Sequence, residues 1–189
     1  MKFFSNKELR DLAIAILLLS FILSFPDLNL FFLAILIVFF SYFLHEMGHK
    51  MIARKLGCMT NFKLWPAGIF VGIFSAFFKL ISGIDIVFVA PGFVEIMPYR
   101  FGRWGFKVVT LGTKDLGLIS LGGVGINILL MIIFKAIPGQ VFELLSYYNG
   151  LIALFNLLPI PPLDGSKIFL WKEWFWLFLI FITVLALVL

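Results

Sequence analysis

The stretch Phe31-Phe32-Leu33-Ala34-Ile35-Leu36-Ile37-Val38-Phe39-Phe40-Ser41-Tyr42-Phe43-Leu44-His45-Glu46-Met47-Gly48-His49 joins a long apolar run to a charged pentapeptide. As a helix, the run from Phe31 to Leu44 rises ~21 Å, which places His45 about two-thirds of the way across a ~30 Å hydrocarbon core. The chain holds 2 histidines, and both lie in His45-Glu46-Met47-Gly48-His49. Four residues advance a helix by about 400°, so the two imidazoles leave one face, one turn apart. That spacing suits two ligands of one zinc ion, with Glu46 between them as general base for the attack of water. A carboxylate and two imidazoles inside an apolar helix are costly and mark function.

The rest of the chain agrees with a lipid surrounding. Of 189 residues, 62% are hydrophobic, 18% aromatic and 13% charged. Soluble domains carry about 25% charged residues, so an ordinary cytosolic globule is excluded, and so is a disordered chain. The lipid bilayer is therefore the expected partner of most of the surface. Lys and Arg total 15 against 10 Asp and Glu, net +5. The basic residues fall in clusters between apolar runs, which is the positive-inside pattern of a multi-pass protein rather than a nucleic-acid footprint. A single cysteine, Cys58, excludes an internal disulfide. The length suits one domain, residues 1–189.

The expected architecture is an all-α polytopic membrane protein of about five to six membrane helices. The run Leu12–Phe25 follows Lys2, Lys7 and Arg10 and leads to Phe25-Pro26-Asp27 without a small-x-small cleavage motif, so it reads as a retained helix. A second helix extends from Phe31 to about Ala53, followed by Arg54, Lys55 and Lys63. The apolar segment near residues 64–93 is broken by Pro66, Gly68, Gly72, Gly83, Asp85, Pro91 and Gly92 and lies between two basic clusters. It reads as re-entrant, with Ile84–Val89 as a strand edge for an unwound substrate or as part of two packed half-helices. Leu116–Ile137 goes out, Val141–Leu158 returns, and Trp171–Leu189 goes out again. The expected place is the cell membrane, with the N-terminus and active-site side cytoplasmic and the C-terminus extracytoplasmic.

Two histidines do not complete a catalytic zinc site, which usually takes three protein ligands. With no histidine left, the third is a carboxylate, and Asp85, Glu95, Asp115 and Asp164 are candidates. Asp164 stands out because Pro159, Pro161 and Pro162 end the returning helix just before it. Asn127 and Asn156 are amides in otherwise apolar helices; they suit either oxyanion donors or helix–helix hydrogen bonds.

His45-Glu46-Met47-Gly48-His49 together with Asn156-Leu157-Leu158-Pro159-Ile160-Pro161-Pro162-Leu163-Asp164-Gly165 resembles the site-2 protease family of intramembrane zinc metalloproteases. The resemblance spans about Phe31 to Lys172 and is nearest to short prokaryotic members without PDZ or CBS modules. It implies one zinc ion per chain, held by His45, His49 and Asp164, with Glu46 as the base. It also implies membrane-anchored protein substrates cut within their transmembrane segments. The family's Gly-Pro-x-x-Asn element is matched by Gly123-Val124-Gly125-Ile126-Asn127, with Val124 in place of proline. The competing class is a non-catalytic membrane zinc protein: a carrier, a sensor or an inactive relative. In such a protein Glu46 would have no clear task.

Overall fold

The computed structural model describes residues 4–82, 91–102, 105–108 and 110–189. Eight helices are found among them: α1 Asn6–Ser24, α2 Phe31–Val38, α3 Leu44–Lys55, α4 Pro66–Ser82, α5 Thr113–Lys135, α6 Gln140–Asn156, α7 Asp164–Trp171 and α8 Glu173–Val188. Strands β1 Cys58–Leu64, β2 Gly92–Gly102 and β3 Gly105–Val108 form a sheet in the order β1-β2-β3.

The element ends follow local chemistry. Ser5 caps α1: its hydroxyl accepts from the Glu8 N–H at 3.2 Å, and the Glu8 carboxylate accepts from the Ser5 N–H at 2.8 Å. This capping box lets α1 begin in the charged stretch ahead of the apolar run. Pro66 opens α4 at the position where a missing N–H costs nothing. Gly57 turns left-handed at φ 73° and ends α3, its N–H donating to the Arg54 carbonyl at 2.9 Å.

Among the described residues, two helical stretches are long and apolar enough to cross a membrane, Leu28–Lys55 with 28 residues and Thr113–Lys135 with 23; α4 and α8 are apolar but shorter. Much of the outer surface is oily. Ile81 is 83% exposed and Trp174 74%, with Phe70 and Phe181 also exposed. So many large apolar side chains exposed on each unit suit an apolar surrounding.

The chain is mostly helical, as expected, but not all-α. Within the segment near residues 64–93, Pro66–Ser82 is a helix, as in the half-helix alternative, and strands lie on either side of it at Cys58–Leu64 and Gly92–Gly102. The reason is periodic. Gly68, Gly72, Ser75 and Ala76 form one small, buried helical face. The proposed strand edge Ile84–Val89, and Asp85 within it, lie outside the described residues.

The chain divides into two compact units, residues 1–39 with 61–95 and residues 40–60 with 96–189. In the first, the second carboxylate oxygen of Glu8 accepts from the Phe62 N–H at 3.2 Å, tying α1 to β1. Lys63 and Glu95 pair at 2.7 Å. The second is built around Val124, Ile128 and Met131 of α5, packed with Ala153 and Leu157, Ile168 of α7 and Leu179 of α8.

Candidate metal centre and active site

The site lies wholly within the second unit. A π-helical turn, Phe39–Phe43, leads directly into α3. Such turns displace the helical hydrogen-bond register by one residue and recur at functional sites. From α3 the rings of His45 and His49 stand 4.5 Å apart, centroid to centroid, at 89° to each other.

Their outer nitrogens are both occupied. Nδ1 of His49 donates to the Ile119 carbonyl at 2.8 Å, and a carbonyl only accepts, so the proton sits on Nδ1. Nδ1 of His45 lies 2.5 Å from Oδ1 of Asn127. The Asn127 amide nitrogen donates to the Ser41 carbonyl at 2.7 Å and to Oδ1 of Asn149 at 2.9 Å, which leaves its oxygen for His45. With Nδ1 the protonated nitrogen of a neutral ring, Nε2 is the one that offers a lone pair, and the two Nε2 atoms are 3.0 Å apart.

The third corner is Asp164. Its Oδ2 lies 3.2 Å from Nε2 of His45 and 3.1 Å from Nε2 of His49. Three buried lone-pair atoms so close repel one another unless a cation lies among them. In a tetrahedral zinc site, bonds of about 2.0–2.1 Å hold ligand atoms roughly 3.3–3.4 Å apart, close to this triangle. The donor set of two imidazoles and a carboxylate also suits zinc, and Nδ1–H donors engaged behind metal-ligating histidines are the usual arrangement. The residues fit the ion.

Asp164 is placed by the broken end of α6. It is the first residue of α7, behind the Pro159–Pro162 stretch. A Cβ on Gly165 would fall 2.1 Å from the Leu157 carbonyl oxygen, so only glycine lets α7 start this close to the end of α6. The indole N–H of Trp176 donates to that same carbonyl at 2.7 Å. Lys167 reaches back, donating to the Pro162 carbonyl at 3.2 Å and standing 3.7 Å from the other Asp164 oxygen, Oδ1. Glu46 is buried on α3 between the two histidines; its Oε2 makes no hydrogen bond among the described residues. The Tyr42 side chain acts on the same carboxylate, and the remaining oxygen suits the proton of a water or substrate.

A protein of Methanocaldococcus jannaschii named "Putative zinc metalloprotease" is 33% identical to this chain over 186 residues, covering 92% of this chain and 88% of the relative. The chain belongs to this zinc metalloprotease family. No family model matches the chain. No solved structure matches it.

In this metalloprotease the other expected site residues have different surroundings. Asn127 is fully buried, and its amide hydrogen-bonds His45, the Ser41 carbonyl and Asn149, which is the helix–helix alternative for this residue. Asn156 donates to the Ile152 carbonyl of its own helix at 3.0 Å. Of the other third-ligand candidates, Glu95 pairs with Lys63, and Asp115 closes the first turn of α5 by accepting from the Gly112 N–H at 3.4 Å. Sequence reasoning missed Asn149 and the Ile119 carbonyl. Asn149 carried the same signal as Asn127, an amide in an apolar helix; a backbone carbonyl carries no signal at all.

Close packing of α3 on α5 brings the histidines to their partners. A Cβ on Gly48 would lie 2.3 Å from the Gly122 oxygen, and one on Gly123 would lie 2.4 Å from Nε2 of His49 and 2.8 Å from Cε1 of His45. Gly123→Ala should therefore push both imidazoles out of place while favouring the helix itself. Zinc affinity is expected to fall at least about 10-fold, in the range seen when groups supporting metal ligands are disturbed. Competition with a chelator measures this, and an unchanged affinity would mean that α3 and α5 separate freely.

Proposed function

We propose that this metalloprotease is an intramembrane endopeptidase of the site-2 type, which hydrolyses peptide bonds within transmembrane segments of membrane-anchored proteins. The reading rests on one observation above all. Three ligand atoms converge at His45, His49 and Asp164; the two histidines stand on a helix continuous with an apolar span, and buried Glu46 lies between them on that helix. A zinc ion held by these three residues supplies Lewis acidity toward a carbonyl and makes water a stronger acid near neutral pH.

The protein's own part is to position and to move protons. Glu46 takes the proton of the attacking water and returns it to the departing amide nitrogen. A zinc carrier would have no use for a buried carboxylate so placed. The oily exterior and the covered site keep bulk water away from the reacting carbonyl. In the cell membrane, with the basic clusters inside, the N-terminus and the site face the cytoplasmic half of the bilayer.

The test is cleavage of a model single-span substrate by the purified protein, with product termini located by mass spectrometry. The cut is expected inside the apolar span, in its cytoplasmic half, because His45 follows Leu28 by 17 residues, ~26 Å of helix. Cleavage confined to aqueous loops of the substrate would overturn the intramembrane assignment and leave a membrane-bound metalloprotease of another kind.

A further inference from the structure

The two histidines are held by different means. His49 donates to a backbone carbonyl, Ile119 O, which helix α5 fixes in direction. His45 donates to a side-chain amide, Asn127, whose oxygen and nitrogen exchange places by a half-turn about one bond. Its orientation has to be decided by the groups behind it.

Two groups decide it. One is the Ser41 carbonyl in the π-helical turn, 2.7 Å from Nδ2 of Asn127. The other is Asn149 of α6, which is completely buried and belongs to no ligand set. The Asn149 nitrogen donates to the Leu145 carbonyl of its own helix at 2.8 Å, which leaves Oδ1 to face Asn127 at 2.9 Å. Both protons of the Asn127 amide nitrogen are thereby used, and Oδ1 of Asn127 is aimed at His45.

We infer that Asn149 is a positioning residue of the metal centre, acting on His45 through Asn127. The direction of each bond in the chain is determined. Leu145 O can only accept, so Asn149 presents its oxygen; Asn127 then presents its nitrogen, and His45 must present Nδ1–H. The lone pair needed for the ion is left on Nε2. Helix α6 thus serves two ligands at once, since it holds His45 through Asn149 and runs on to the proline stretch that delivers Asp164. His49 depends on α5 alone.

The inference rests on the zinc reading of the cluster, but its first measurement does not. With 2 histidines in the chain, imidazole-labelled protein in detergent, stripped of metal, gives two Nδ1 protons by nuclear magnetic resonance. In Asn149→Leu, which keeps the branching of the side chain and removes the acceptor, the His45 proton and ring nitrogens should shift while those of His49 stay in place. Asn149→Asp should restore the His45 signals, because a buried neutral acid donates to Leu145 O and accepts from Asn127 as the amide does. Asn149→Ala provides the same comparison should the leucine variant fail to fold.

Zinc affinity, measured by chelator competition, should fall about 10-fold in Asn149→Leu and recover in Asn149→Asp. His45→Ala serves as the control for the site itself. Unchanged His45 signals, or equal changes in both rings, would overturn the role of Asn149. A wild-type protein that takes up no zinc, or a His45→Ala variant that binds it equally well, would instead overturn the zinc reading and leave the hydrogen-bond chain to be judged by the spectra alone.

Discussion

Glu46→Gln is expected to abolish peptide hydrolysis while zinc binding persists. Glu46 is outside the triangle formed by Nε2 of His45, Nε2 of His49 and Oδ2 of Asp164, so the amide does not remove a ligand. Glutamine has nearly the same shape as glutamate and fills the same buried space. It loses only the ability to take a proton. A positioned general base contributes about 10²–10⁴ in rate, and without it the leaving nitrogen also lacks its proton donor. We expect product formation to fall at least about 10³-fold, roughly 4 kcal/mol of barrier. Parallel assays of bound zinc and of product from a single-span substrate check the two halves separately. Full activity with glutamine at position 46 would remove the hydrolytic mechanism, and with it the main argument against a zinc carrier.

Asp164→Ala should remove both zinc and activity. His45 and His49 alone leave two imidazoles on one face of α3, and a closed catalytic site needs a third protein ligand. Asp164→Asn should be nearly as damaging, because a neutral amide is a much poorer ligand for a dication. The substitution also frees Lys167, now 3.7 Å from Oδ1 of Asp164, so that a positive charge stands beside the vacated corner and further disfavours the ion. X-ray absorption at the zinc edge, wild type against Asp164→Ala, is the discriminating measurement. An unchanged coordination shell would show that another carboxylate completes it. Lost activity with zinc intact would instead make Asp164 a support for the site.

Where sequence reasoning succeeded, the signal was local. The histidine spacing, Glu46 between them and the proline-broken approach to Asp164 are each contained within a few residues, and helix geometry or the missing proline N–H gives them meaning at once. The strands at Cys58–Leu64 and Gly92–Gly102 were missed for the opposite reason. They border basic clusters and are joined through pairing between segments distant in sequence, with β2 also paired to β3, where Tyr99 to Gly102 pair with Val108 to Gly105. The sequence leaves α4 open between a half-helix and a strand edge because its glycines and Pro66 resemble breaks until their spacing is seen to make one buried face.

Read alone, the residues show that the chain is far more apolar than a soluble domain, that two imidazoles share one helical face with Glu46 between them in sequence, and that Asp164 follows a helix that must stop. Composition and spacing suffice for those statements, since they depend on transfer from water and on the pitch of one helix. The packing of the helices is what shows that Asn127 meets His45, Ser41 and Asn149, that Ile119 O meets His49, and that Gly48, Gly122 and Gly123 let α3 and α5 come together. An amide or a carbonyl has the same chemistry wherever it stands. Its partner is chosen by which helices pack together and at what distance, and no local pattern records that choice.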